Sequence, residues 1–233
     1  MQEETARARS ITLAVPHWNG HRPGQHVDVR LTAEDGYRAE RSYSISSAPQ
    51  PEPHVMLTVE RIDDGEVSPY LTDELRIGDQ LELRGPIGGY FVWEAQMGGP
   101  LLLVAGGSGI VPLMAMIRHH VAVGSTVPTR LLYSSRSHQE VIYRDELARL
   151  VKSNTKIKVA YTLTRKQPPE WTGYHRRVDT QMLREVAWPV EQRPLLFICG
   201  PTPFVEIAAT NLVALGYEPG RIKTERFGPT GET

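Results

Sequence analysis

The 233-residue sequence predicts two domains of different class, an antiparallel β barrel or sandwich followed by a doubly wound α/β domain. Three observations carry that prediction. Short alternating strands separated by Gly and Pro turns fill the first 93 or so residues, as in antiparallel barrels and sandwiches. From residue 101 onward, near-continuous apolar strands alternate with amphipathic helical stretches, which is the pattern of a parallel sheet covered on both faces. Between the two lies Met97-Gly98-Gly99-Pro100, a linker by composition, so the domains are read as 1–97 and 98–233.

In the first half, strands are expected at 10–15, 26–31, 41–46, 54–61 and 80–84, punctuated by Asn19-Gly20, Pro23-Gly24, Asp35-Gly36 and Ile77-Gly78. Residues 69–75 form at most a short helix. In the second half, strands are expected at 101–105, 130–134, 157–164, 195–199 and 221–227. The helices between them fall at 112–121, 139–152, 179–186 and 203–215.

Composition narrows the function. The 26 basic and 27 acidic side chains nearly cancel, so no footprint for nucleic acid or an anionic membrane surface is present. Apolar runs such as 101–105 fall far short of the roughly 18 residues of a spanning helix, and the charged start MQEETARARS lacks the apolar core of a secretory signal. A soluble, cytoplasmic protein is expected. The single cysteine, Cys199, excludes an internal disulfide and an iron–sulfur cluster held by this chain alone, so any redox chemistry here uses an organic cofactor. No metal site is expected either: Asn19-Gly20 separates His17 from His21, and the rings of His119 and His120 at a helix end should diverge.

The strand at 101–105 runs into Gly106-Gly107-Ser108-Gly109-Ile110-Val111-Pro112 and then a helix. Glycines there let the backbone approach a pyrophosphate, and the helix N-terminus favours its charge. Pro112 stands where the third Gly of G-x-G-x-x-G would be and suits a first helical turn. The same glycines also fit a plain tight turn. At the ends of the next two strands, Ser135-Arg136-Ser137 and Thr164-Arg165-Lys166 offer arginines with no acid before Glu140, and Arg176-Arg177 follow. An Arg clamp suits a ribose 2′-phosphate, hence NADP(H) rather than NAD, although solvated surface arginines would read the same way.

Arg41-Ser42-Tyr43-Ser44, Gly65-Glu66-Val67-Ser68, Gly85-Pro86-Ile87-Gly88, the glycine turn, Cys199-Gly200-Pro201 and Glu225-Arg226-Phe227 occur in one order. That set resembles the ferredoxin–NADP reductase superfamily over roughly residues 8–228. The resemblance implies a Greek-key FAD-binding barrel followed by an NADP-binding α/β domain. It implies that Arg41 pairs with the flavin phosphate, that Tyr43 lies against the isoalloxazine, and that Ser44 bonds near its N5. The turn of Gly65, Val67 and Ser68 would hold the FAD pyrophosphate. Gly106, Gly107, Gly109, Pro112, Ser135, Arg136 and Arg165 would hold the nicotinamide nucleotide.

By itself a lone buried cysteine is a small core residue. By similarity, Cys199, Gly200 and Pro201 would instead face the nicotinamide, with Glu225 nearby and Phe227 covering the flavin. The catalytic set so implied is Ser44, Cys199, Glu225 and Phe227. The resemblance also implies an NADPH-dependent flavoprotein reductase without a fused ferredoxin domain, passing single electrons to a separate carrier such as a ferredoxin or an oxygenase component. Direct reduction of a ferric chelate or free flavin, and a non-catalytic regulatory subunit, are the competing readings. Arg7, Arg9, Arg22, Arg38, Arg61 and Lys223 are the residues from which a local basic docking patch would be built.

Overall fold

The structure, a computed structural model, describes residues 1–228; the tail 229–233, which the sequence reading noted beyond the terminal aromatic, lies outside the described residues. Six strands make the first half: β1 (Gln2–Thr5), β2 (Ala8–Ala14), β3 (His26–Thr32), β4 (Arg38–Ser44), β5 (His54–Glu60) and β6 (Glu82–Ile87). They form two three-stranded antiparallel sheets, β1-β2-β5 and β4-β3-β6, joined by a bridge between Ile45 and Leu57. Alternation decides what goes inside. Val27 and Val29 of β3 and Val55, Leu57 and Val59 of β5 are two apart, share a face and are buried together.

The second half carries β7 (Leu101–Gly106), α1 (Ile110–Ala122), β8 (Thr129–Ser137), α2 (Arg144–Ser153) and β9 (Ile157–Lys166), then α3 (Thr180–Val186), β10 (Leu195–Pro201), α4 (Thr202–Ala214) and β11 (Ile222–Phe227). The sheet is parallel throughout, in the order β11-β10-β7-β8-β9. The all-apolar β7 explains itself: Leu101, Leu103 and Ala105 pack with α1, while Leu102 and Val104 face the opposite cluster with Val205 and Leu212 of α4. Strand order reverses between β7 and β10. That reversal leaves a crevice beyond their carboxyl ends, where such sheets bind ligands.

The halves share a core. Ala8, Phe91 and Trp93 of the first half are buried in the cluster that contains β7 and α1, and Phe91 meets Phe197 edge-on with ring centroids 5.3 Å apart.

Several elements differ from the sequence expectation. β1 is missing from that expectation because its QEET sequence carries no apolar alternation; it forms by pairing with β2. The strand expected at 41–46 is β4, three residues earlier at its start, since its register is set by β3, with Thr32 opposite Arg38. The strand expected at 80–84 is β6, displaced because the turn at Gly78 (φ 101°) is extended by the Arg76 amide donating to Asp79. Residues 69–75 contain one π-helical turn, Tyr70–Glu74.

The helix expected at 139–152 is split into a 3-10 turn, His138–Glu140, and α2, because Tyr143 takes a left-handed conformation (φ 59°) ahead of Arg144. Trp93 meets the His119 ring edge-on and stacks on the His120 ring, at 6.1 and 6.0 Å between centroids. Among the described residues no His, Cys, Asp and Glu group could hold a metal, and no helix is long and apolar enough to cross a membrane.

Candidate functional site

Two clefts meet at the switch point, between the barrel and the parallel sheet. The wider, about 870 Å³, runs from Arg41 and Tyr43 past the turn at Gly65, Val67 and Ser68 to Ser108 and Arg136. The narrower, about 440 Å³, is lined by Cys199, Glu225, Pro112 and the Gly88-Gly89-Tyr90 loop. Ser42, Ser44, Ser108 and Phe227 line both. The junction therefore brings together one strand of the barrel, the glycine turn and the last strand of the sheet.

On the barrel side, β4 supplies Arg41, Tyr43 and Ser44. Arg41 Nη2 lies 2.7 Å from Glu66 Oε2, and Glu66 also accepts from the Tyr37 hydroxyl. Ser42 is held by donating to Asp28, which is buried and also receives Arg84; these donors keep the Asp28 carboxyl below its ordinary pKa. Tyr43 is half-buried, and burial pushes its hydroxyl up to about 12, so it is an uncharged ring and donor at neutral pH. The turn at 62–68 closes on itself: the Gly65 amide donates to Ile62 O (3.0 Å) and the Ile62 amide to Ser68 Oγ (3.0 Å).

On the sheet side, Gly107 adopts a left-handed φ of 56°, with open space where a side chain would stand. Gly109 is needed for another reason: a Cβ there would lie 2.1 Å from Cys199 O, so the turn abuts the end of β10 only because it lacks a side chain. Gly106 and Gly200 are close in the same way, with the Phe204 ring above both. Pro112 is the third residue of α1, before any intrahelical donor is required of it.

Cys199 stands beside Glu225 in the β10–β11 register, and Pro201 beside Phe227. Burial first, then Glu225, raises the Cys199 thiol well above its ordinary pKa, so it is no nucleophile. Ser44 Oγ donates to Glu225 Oε1 across the domain boundary at 3.4 Å. Burial raises Glu225 to about 7, outweighing that hydrogen bond.

The other sequence candidates are placed unequally. Ser135 is buried, its hydroxyl donating to Ser137 O. Arg136 reaches the wide cleft, where Glu140 lies 3.8 Å away and accepts from Ser137 Oγ at 2.7 Å. The acid that follows the arginine in sequence thus folds back onto it. Arg165 is exposed on the adjacent strand and lines neither cleft, and Arg176 is tied to Asp179 at 2.5 Å. Of the basic residues expected to build a docking patch, Arg7 and Arg61 share Asp63, and Arg22 pairs with Glu94. Sequence reasoning gave no role to Ser108, Glu66 or Tyr90. Ser108 and Glu66 sit inside two of the quoted turns, and Tyr90 two residues beyond Gly88 of the third motif, which was the available signal; the Tyr90 hydroxyl donates to Ile222 O (3.3 Å).

Barrel, glycine turn and switch-point cleft define an oxidoreductase with flavin- and nicotinamide-nucleotide-binding domains. The oxidoreductase FAD-binding domain family matches residues 3–92, and the oxidoreductase NAD-binding domain family matches residues 103–210. The chain is 35% identical over 181 residues to ferredoxin–NADP reductase B of Sorangium cellulosum, covering 76% of this chain and 72% of that protein. It is 32% identical over 210 residues to the glycine betaine monooxygenase reductase subunit of Pseudomonas aeruginosa, covering 90% of this chain and 57% of that one. The FAD/NAD-binding domain of nitric oxide dioxygenase from Vibrio cholerae superposes with a TM-score of 0.85 at 28% identity, covering 98% of this chain and 95% of that one. The chain belongs to the ferredoxin–NADP reductase superfamily, and it spans a little over half the length of the monooxygenase reductase subunit it matches.

Proposed function

We propose that this chain is an NADPH-dependent flavoprotein reductase, passing hydride from NADPH to FAD and single electrons to a separate carrier, a ferredoxin or an oxygenase component. The observation that carries the proposal is the convergence of Ser44, Glu225 and Phe227, from opposite domains, where the two clefts meet. The carrier rests on relatives that are themselves reductase subunits, such as that of the glycine betaine monooxygenase.

The residues fit FAD. Carboxylate oxygens of Glu66 stand at the Arg41 fork as phosphate oxygens would, and the open space at Gly107 admits a second phosphate chain beside α1. When bound, FAD accepts an electron pair with the hydride and releases it singly; that is the chemistry the cofactor supplies. The protein's share is position and charge. Arg41 and the turn of Gly65, Val67 and Ser68 hold the flavin phosphates, while Tyr43 supplies the face on which the ring rests. Gly106, Gly107, Gly109 and Pro112 hold the nicotinamide nucleotide's pyrophosphate, and Arg136, the one of the three expected residues that lines the wide cleft, its ribose phosphate, with Arg165 on the neighbouring strand as a second cation outside the cleft. Cys199, Gly200 and Pro201 form the wall behind the nicotinamide. Ser44 and Glu225 hold a proton at the junction, since a carboxyl near 7 exchanges it readily at neutral pH. Phe227, 37% exposed, lines both clefts at the junction and would have to move aside for a nicotinamide to stack there. The proposed location is the cytoplasm, with Cys199 free and buried as expected of a reducing compartment; cell fractionation checks that assignment.

The decisive experiment is an anaerobic titration of the FAD-loaded protein with NADPH. Loss of flavin absorbance, followed by its return on adding a ferredoxin or a one-electron surrogate, is expected. A protein that binds no flavin, or whose flavin NADPH leaves oxidised, ends the reading.

A further inference from the structure

Tyr143 sits in the left-handed region at φ 59°, a conformation that a non-glycine residue keeps only where its surroundings impose it. The surroundings are unusual. Its ring is buried, and its hydroxyl crosses from the α/β domain into the barrel, donating to Thr58 Oγ1 at 2.5 Å. Thr58 is also 2.9 Å from Ser10 Oγ and 3.2 Å from Ser46 Oγ. Ser10 spends its proton on Glu4 Oε1 at 2.7 Å, and Ser46 donates to Met56 O at 3.0 Å. Proton counting then leaves one direction. Tyr143 donates to Thr58, Thr58 to Ser10 or Ser46, and the Ser10 branch ends on a carboxylate.

A second contact runs alongside. Arg118 of α1 donates to Ser46 O at 2.7 Å, lies 4.8 Å from the centre of the Tyr143 ring, and is held by both oxygens of Glu146 at 2.6 and 2.9 Å. The apolar contacts of Phe91 and Trp93 press the domains together but are non-directional. The hydroxyl chain fixes one angle because hydrogen bonds weaken steeply off axis. Thr58 also lines the wide cleft with Tyr43 and Ser44, so the chain grips a strand that bounds that cleft.

We propose that Tyr143 is a positioning residue: by clasping Thr58, with Arg118 beside it, it sets the angle between the two domains and so the alignment of nicotinamide against flavin. The proposal rests on the reductase reading for its consequence, but not for the clasp itself. Misalignment by an ångström or so costs one to two orders of magnitude in a positioned reaction.

The test uses Tyr143→Phe, which keeps the ring, its burial and the guanidinium contact, together with Thr58→Val and Thr58→Ser. In the cofactor-free chain, Tyr143→Phe and Thr58→Val should speed amide hydrogen exchange in β2, β5 and residues 142–144 by about tenfold while leaving β7 and β10 protected. Thr58→Ser, which restores the hydroxyl, should exchange like the wild type. Loaded with FAD, the first two variants should keep full flavin occupancy and an unchanged KM for NADPH, yet reduce their flavin about tenfold more slowly. The double variant should be no slower than the slower single one. Exchange and reduction within about twofold of wild type in Tyr143→Phe overturn the proposal. So does failure of Thr58→Ser to restore them, which also decides the case where Tyr143→Phe does not fold. If NADPH does not reduce even the wild type, the reductase reading fails while the exchange measurement still judges the clasp.

Discussion

Arg41 and Glu66 lie 2.7 Å apart, Nη2 to Oε2, at the mouth of the wide cleft, and both side chains are about half exposed. An exposed pair of this kind contributes about 0–1 kcal/mol, whereas a charge-assisted bond from Arg to phosphate contributes about 1.5–3 kcal/mol. On the proposed reading, phosphate would therefore displace the carboxylate. Arg41→Ala should lose most of its FAD, and Glu66→Gln should bind FAD about two- to fivefold tighter because the competitor is gone. Fluorescence titration of the apoprotein measures both; equal affinities in wild type and Arg41→Ala sink the assignment of that arginine.

On the proposed reading, nucleotide choice turns on Arg136. Its neighbour Glu140 tempers an otherwise free cation at the end of β8. Replacing Arg136 and Arg165 by Ala should raise the KM for NADPH about tenfold and leave NADH almost untouched, since only a 2′-phosphate contact is removed. Wild-type efficiencies equal for the two nucleotides would return both arginines to the solvated surface.

Phe227→Ser removes the ring that, on the proposed reading, nicotinamide would have to displace. A charge-transfer band on adding NADP should grow, and turnover should fall as product release slows. An unchanged spectrum and rate would leave Phe227 a strand-end residue with no part in the site.

Glu225, lifted from 4.5 to about 7 by burial, makes stability depend on pH. In that window the folded chain binds more protons than the unfolded one, so stability is full below about pH 4.5 and declines as pH rises through 7. At about 1.4 kcal/mol per unit of pKa, the loss is roughly 3–4 kcal/mol. Glu225→Gln should flatten that slope and be the more stable protein at pH 8 in denaturant melts. Parallel profiles for the two proteins would mean Glu225 ionises freely.

Local pattern alone determined the architecture of this protein. A strand buried on both faces has to be continuously apolar, as β7 is, and a turn that takes a left-handed residue at Gly107 and abuts β10 at Gly109 has to lack side chains there. Motif order then pointed to Arg41, Ser44, Cys199 and Glu225, because each lies on a strand whose end is dictated by its own sequence. Tertiary structure alone decided the rest. QEET becomes a strand only where β2 offers its edge, and Tyr143 breaks a helical run because its hydroxyl finds Thr58, 85 residues away. Glu140 turns back on Arg136, and Asp63 neutralises two arginines of the expected docking patch. These are long-range pairings or fold-backs, and their energies depend on distances that no periodicity along the chain encodes.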